Sequence, residues 1–174
     1  MSAVTLAQLL AIMPLARTRA VAFLAPLNAA MVEFGITTPA RQASFLSQVG
    51  HESGQLRYVL ELASGQAYEG RVDLGNTQRG DGVRFRGRGL LQVTGRANYA
   101  ACGKALGLDL LAQPELLEQT VNACRSAGWF WQTRGLNALA DAGDQERVTR
   151  RINGGVNGLA KRLALYQAAR KVLA

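Results

Sequence analysis

The only histidine of the chain, His51, stands directly before Glu52 at the foot of an apolar helical run, and a second carboxylate, Glu61, follows nine residues later. A carboxyl group at the end of an apolar helix can be partly desolvated, which raises its pKa toward neutrality and suits it to general acid work. Gly54 and a segment able to turn separate the two acids, so they can face one cleft from different elements. Hydrolysis with inversion at a glycosidic carbon needs such a pair, with roughly 6.5–9.5 Å between carboxyl groups to admit a water. The plain alternative is two solvated surface carboxylates, the ordinary state of isolated acids.

Other reaction classes fit these residues less well. The zinc motif HExxH fails because position 55 is Gln and no second histidine exists. No Gly-x-Ser-x-Gly elbow occurs, and the sole histidine adjoins a glutamate, so a nucleophile triad is not expected. Cys102 and Cys124 form no CxxC or Cys/His cluster; they read as reduced packing residues, with a single bond between them left open. No metal or cofactor is expected. Arg86-Gly87-Arg88-Gly89 can be read as an RNA-binding or phosphate-cradling element, but it lacks a Walker lysine and adjoins an apolar run. Nucleic acid is therefore not expected as a partner.

From Phe85 to Tyr99, Gln92 and Thr94 alternate along an expected extended stretch, so their side chains point the same way. With Asn98 they supply an amide, a hydroxyl and a second amide to a sugar and an attacking water. The rival reading makes Thr94 the N-cap of the next helix. Trp129 and Trp131, at helical spacing around Phe130, suit either sugar stacking or the core, and the core is favoured.

The elements that must carry these groups are mostly helical. Thr5 with Gln8 resembles a capping box ahead of Leu6, Leu9, Leu10 and Met13, and Pro14 stops that helix. A second helix is expected from about Arg17 to Phe34, and a third opens at Thr38-Pro39 and ends near His51 to Gly54. Gln55 to Gly89, rich in Gly, Arg and Asp, reads as loops with one or two short strands. Further helices are expected at about Arg96 to Leu106, Glu115 to Trp131, Leu136 to Ala140, Asp144 to Ile152 and Leu159 to Leu173. At 174 residues, with 48% hydrophobic and 18% charged residues, the chain suits one domain over 1–174. No apolar stretch reaches the roughly 18 residues of a membrane span. Met1 to Met13 make a poor secretory signal, so a cytoplasm is the expected place of synthesis. Twenty Lys and Arg against twelve Asp and Glu give +8, a field that favours a polyanion. Arg147, Arg150, Arg151, Lys161, Arg162, Arg170 and Lys171 are basic helix residues that could serve it or simply be solvated.

Taken together, His51-Glu52-Ser53-Gly54, Glu61, the run Gly87 to Thr94 with Asn98-Tyr99, and Ile152-Asn153-Gly154-Gly155 resemble glycoside hydrolase family 19. That family holds plant-type chitinases and phage or prophage endolysins. Tyr68-Glu69-Gly70-Arg71 and Asp73-Leu74-Gly75-Asn76 look closest to the short, lysozyme-like endolysin branch. The resemblance implies a mainly α fold of the α+β lysozyme-like kind, a helical large lobe and a small lobe of loops and short strands at about 55–89 flanking a cleft. It implies Glu52 as general acid, Glu61 as the carboxylate that activates water, with Glu69 as its rival, and Thr94 as the hydroxyl that holds this water. His51, Gln92, Asn98, Tyr99 and Asn153 would bind the sugar, and Arg162 would support the second acid. The implied substrate is the peptidoglycan glycan strand, or alternatively chitin, with anionic wall or outer-membrane surface as a second partner. Other rivals are a non-catalytic wall-binding module and a bacterial chitinase. The chain is expected to be a monomer, released from the host cytoplasm with the help of a holin-like permeabiliser.

Overall fold

The computed structural model describes residues 3–174, so the part of the leader expectation that falls on Met1 and Ser2 lies outside the described residues. The chain folds as α1 (Leu6–Ile12), α2 (Arg17–Glu33), α3 (Pro39–Glu52), α4 (Asp81–Arg84), α5 (Arg96–Leu106), α6 (Thr120–Thr133), α7 (Leu136–Asp141), α8 (Gln145–Asn153) and α9 (Leu159–Leu173), with 3-10 turns at Gln66–Tyr68, Val72–Leu74 and Pro114–Glu118. The mainly α expectation holds. The capping box at Thr5 and Gln8 is present, and Thr38 caps α3 by accepting from the Arg41 N–H. One expected helix divides: Pro114 opens a 3-10 turn, and α6 restarts at Thr120. Gln119, extended at φ −67° and ψ 136°, makes that break.

The helical lobe is built around α3, which packs along α9, while α2 packs on α6. Its core holds Trp131 and Phe45, whose rings meet edge-on at 5.4 Å between centroids. Burying side chains of this size stabilises the lobe by roughly 2–3 kcal/mol each. Trp129 and Trp131 are buried, as the core reading expects. Cys102 and Cys124 are buried free thiols, and burial pushes the Cys102 thiol up to about 12. Among the described residues no single helix is long and apolar enough to cross a membrane; α1 and α2 pass only as a pair bent by 119°.

The small lobe departs from expectation in detail. Instead of short strands it has two isolated antiparallel bridges, Leu60 with Arg88 and Arg88 with Val93. Its ordering comes from side chains that seize loop backbone. Both Glu69 oxygens accept backbone N–H groups, from Gly80 at 2.6 Å and Gly82 at 2.8 Å. Asp81 accepts both prongs of Arg96, at 2.6 and 2.8 Å, which joins this loop to α5.

Candidate active site

Glu52 is the last residue of α3, and what stops the helix there also presents the carboxylate. Gly54, Gln55 and Leu56 all take left-handed backbone, with φ of 56°, 58° and 66°. Only the glycine does so without strain. The other two are held by bonds: Ser53 Oγ accepts the Leu56 N–H, the Gln55 N–H reaches Gly50 O, and Gln55 Oε1 accepts the Leu15 N–H. Glu52 is half-buried and borders a groove of about 350 Å³, together with Gln92, Thr94, Asn98, Trp129 and Asn153. The structure therefore brings Glu52, Gln92, Thr94, Asn98 and Asn153 into one concavity.

Glu61 is held at the small-lobe side. Its Oε2 accepts the Gly87 N–H at 2.6 Å. The Gln92 amide oxygen lies against the same glycine: a Cβ on Gly87 would stand 2.5 Å from Gln92 Oε1 and 2.6 Å from Glu61 Oε2. Glu61 and the groove residue Gln92 are thus neighbours over one bare backbone position. The phenol of Tyr68 also faces Glu61, and burial, then that carboxylate, hold its hydroxyl above the usual tyrosine range. Glu69, the rival acid, has both oxygens committed to loop N–H groups and borders a different hollow.

Several site expectations need correction. Gln92 and Thr94 do not alternate along an extended strand; Gln92 has φ 55° in a tight turn closed by the Arg88–Val93 bridge. The turn still delivers both to the groove, because the Gln92 amide is pinned to Gly89 O at 2.9 Å. Thr94 is not an N-cap, a place taken by Gly95; its hydroxyl donates to Gln92 O at 3.1 Å, and Asn98 Nδ2 donates to Thr94 O at 2.8 Å. Tyr99 is fully buried and cannot touch a sugar. Its ring packs on Phe85, and its hydroxyl donates to Arg86 O while accepting from Arg88. Arg88 is buried and paired with Glu118 at 2.7 Å, so half of the Arg86–Arg88 element is structural. His51 packs its ring on Gly158 and borders a separate apolar cavity between α1, α3 and α9. Burial, with Arg162 second, holds the imidazole below its usual range, while the Glu52 charge opposes them.

Arg162 pairs with the first acid, not the second. Its Nη2 donates to Glu52 Oε1 at 2.6 Å, and the guanidinium is almost wholly enclosed, its side chain 1% exposed. Being buried beside α3, it can reach only the carboxylate that α3 presents. The groove also has walls that the sequence reading did not place in the site: Trp129, read as core, and Phe130 from α6, with Arg151, read only as a basic helix residue, and Arg134, which it did not single out. Arg134 lies over the Phe130 ring at 3.5 Å, and Arg151 donates to Arg134 O at 2.9 Å. Desolvation lowers the Arg134 pKa from its usual value. Trp129 carried a signal, an aromatic at helical spacing, but one equally consistent with the core; the two arginines carried none beyond charge.

The arrangement offers one carboxylate with an unpartnered oxygen in a groove lined also by amides and a hydroxyl, and a second carboxylate beside one of those amides. A family model described as Chitinase class I, glycoside hydrolase 19, matches residues 34–142. A Haemophilus influenzae protein described as containing a glycosyl hydrolase family 19 domain is 34% identical, over 82% of this chain and 84% of its own length. An Arabidopsis thaliana endochitinase is 35% identical over 77% of this chain, which spans 46% of that relative. Among solved structures, chitinase C from Streptomyces griseus superposes with a TM-score of 0.80 at 24% identity, covering 98% of this chain and 92% of its own, which carries the fold. A bacterial family 19 chitinase superposes with the same TM-score at 25% identity, covering 99% and 96%.

Proposed function

Because the chain belongs to glycoside hydrolase family 19, we propose that it is a phage or prophage endolysin cutting the β-1,4 bond between N-acetylmuramic acid and N-acetylglucosamine in peptidoglycan, with inversion. Glu52 protonates the leaving glycosidic oxygen through Oε2, the oxygen that has no hydrogen-bond partner among the described residues. Glu61 takes a proton from the attacking water on the opposite face of the sugar. Thr94 and the Gln92 amide help hold that water, and Asn98 and Asn153 bind the saccharide. Each role asks only for position and proton transfer, which typically contributes 10²–10⁴-fold per group.

The observation that carries the choice of peptidoglycan is the pair Arg134 and Arg151 in the groove wall. Peptide stems of the wall polymer bear carboxylates, whereas chitin is neutral, so cationic walls favour the former. In that setting the enzyme reaches its substrate from the host cytoplasm once a membrane-permeabilising partner opens the way. Chitin is the second reading, favoured by the endochitinase relatives and the chitinase structures.

Digestion of purified peptidoglycan and of chitin oligosaccharides, with mass spectrometry of the products, separates the two. Muramic acid reducing ends and faster turnover of peptidoglycan are expected; glucosamine reducing ends, or preference for chitin oligosaccharides, would overturn the first reading. Glu52→Gln should lower kcat at least about 10²-fold and leave wall binding intact. Full lysis by that variant would remove Glu52 from its role.

A further inference from the structure

Four arginine–carboxylate pairs in this protein are forked. In Arg41–Asp141, Arg71–Asp73, Arg96–Asp81 and Arg125–Glu33, Nε and Nη2 of the guanidinium grip both carboxylate oxygens. In each, the arginine's hydrogen bonds are the main force holding the acid below its ordinary pKa. A fork of this kind stabilises the ionised carboxylate and would leave a general acid without its proton.

The Arg162–Glu52 contact is built differently. Nη2 alone reaches Glu52, at Oε1, while Nη1 donates to Gln48 Oε1 at 2.6 Å and Nε to the Asn157 carbonyl at 3.1 Å. Gln48 lies one turn before Glu52 on α3 and is fully buried. Its amide nitrogen, Nε2, donates to Thr149 Oγ1 of α8 at 3.3 Å, which fixes which end of the amide faces the arginine. Thr149 is anchored in turn by donating to Gln145 O at 2.8 Å.

We infer that Gln48 is a positioning residue: it occupies Arg162 Nη1 so that the guanidinium meets Glu52 with one prong and leaves Oε2 to carry the proton. This rests on Glu52 being the general acid. Take the Gln48 acceptor away and a buried N–H is orphaned, a costly state that is relieved if the guanidinium turns to take the unpartnered Glu52 Oε2 as well. Put a carboxylate at position 48 instead and it competes for Arg162 while adding like charge one turn from Glu52. The other charged groups around Glu52 and its groove stay the same in both cases: His51, its neighbour on α3, Lys161 of α9, which acts on His51, and Arg134 and Arg151 in the groove wall.

The test is the pH dependence of kcat for Gln48→Met and Gln48→Glu, with folding checked by thermal unfolding. The alkaline limb, which reports the essential acid, should move down by about one pH unit in Gln48→Met and up by a similar amount in Gln48→Glu. For Gln48→Met at neutral pH, kcat should fall about tenfold with KM changed less than about twofold. Limbs that stay put, or move in the same direction, overturn the inference. Should neither variant fold, Thr149→Val, which frees the amide to turn, should move the limb down by a smaller amount, and an unmoved limb overturns the inference equally. Glu52→Gln separates the two failures: if it is inactive while these variants do not shift, only the role of Gln48 falls; if it is active, the assignment of Glu52 falls first.

Discussion

Gly87 shows how closely Glu61 and the groove residue Gln92 are fitted together. Its bare Cα is where the Glu61 carboxylate and the Gln92 amide converge, both within 2.6 Å of the point a methyl group would fill. In Gly87→Ala one of the two must move, and the displaced group is either the proposed second acid or the amide proposed to help place its water. Misplacement on this scale typically costs about 10²-fold in rate. We therefore expect kcat to fall by that order while the melting temperature drops only a few degrees, measured on soluble oligosaccharides and by calorimetry. An equally active variant would show that Glu61 and Gln92 can part without consequence. This relation was only half legible in the sequence. The motif from Gly87 to Thr94 marked the region, yet a reading by period-two alternation places Gln92 on a strand, and nothing in composition reveals a left-handed turn at a glutamine. The same limit misassigned Tyr99 and Arg162: a residue type suggests what a side chain could bond, whereas burial decides what it can reach.

At the scale of elements, helices were legible because capping residues, proline and glycine announce their ends, as at Thr5, Thr38 and Gly107. The loop lobe was not, since its order comes from carboxylates bonded to backbone and to arginines far away in the chain. Asp81 is the main example. Its side chain is 2% exposed, accepts two prongs of Arg96 and the Gln78 N–H, and so ties the loop to α5, whose first residues lead directly from Thr94. Arg96 hydrogen bonds hold the Asp81 carboxyl below its ordinary value, so its stabilisation is fully present above the unfolded value and is lost as pH falls through the depressed one. Asp81→Asn keeps the shape and removes the charge. Near neutral pH it should cost roughly 2 kcal/mol, and the difference from the parent protein should close in strongly acidic buffer. Thermal melts of both proteins from pH 7 down to about pH 2.5 check this, the other paired acids being common to the two. A gap independent of pH would mean that packing, not charge, makes this link.

On the whole molecule, the excess of +8 is unevenly neutralised. Eight Lys or Arg side chains meet a carboxylate within 4.0 Å, which among the described residues leaves twelve basic groups against four acids without a basic partner. Two of the twelve, Arg134 and Arg151, are in the groove, and Lys161, Arg170 and Lys171 are exposed on α9. Such a surface gathers a polyanion from a distance, an effect confined to roughly 10 Å at 0.1 M salt and 3 Å at 1 M. A neutral, soluble saccharide experiences none of this gathering and depends only on the groove. The two substrates should therefore separate as salt rises: between about 0.05 and 0.5 M, lysis of anionic walls should fall severalfold while hydrolysis of a chitin oligosaccharide stays nearly constant. Parallel decline of both rates would place the salt effect within the catalytic groups themselves. Constancy of both would leave the basic surface as an ordinary solvated face, and the groove arginines would then stand alone as the feature proposed to favour an anionic glycan.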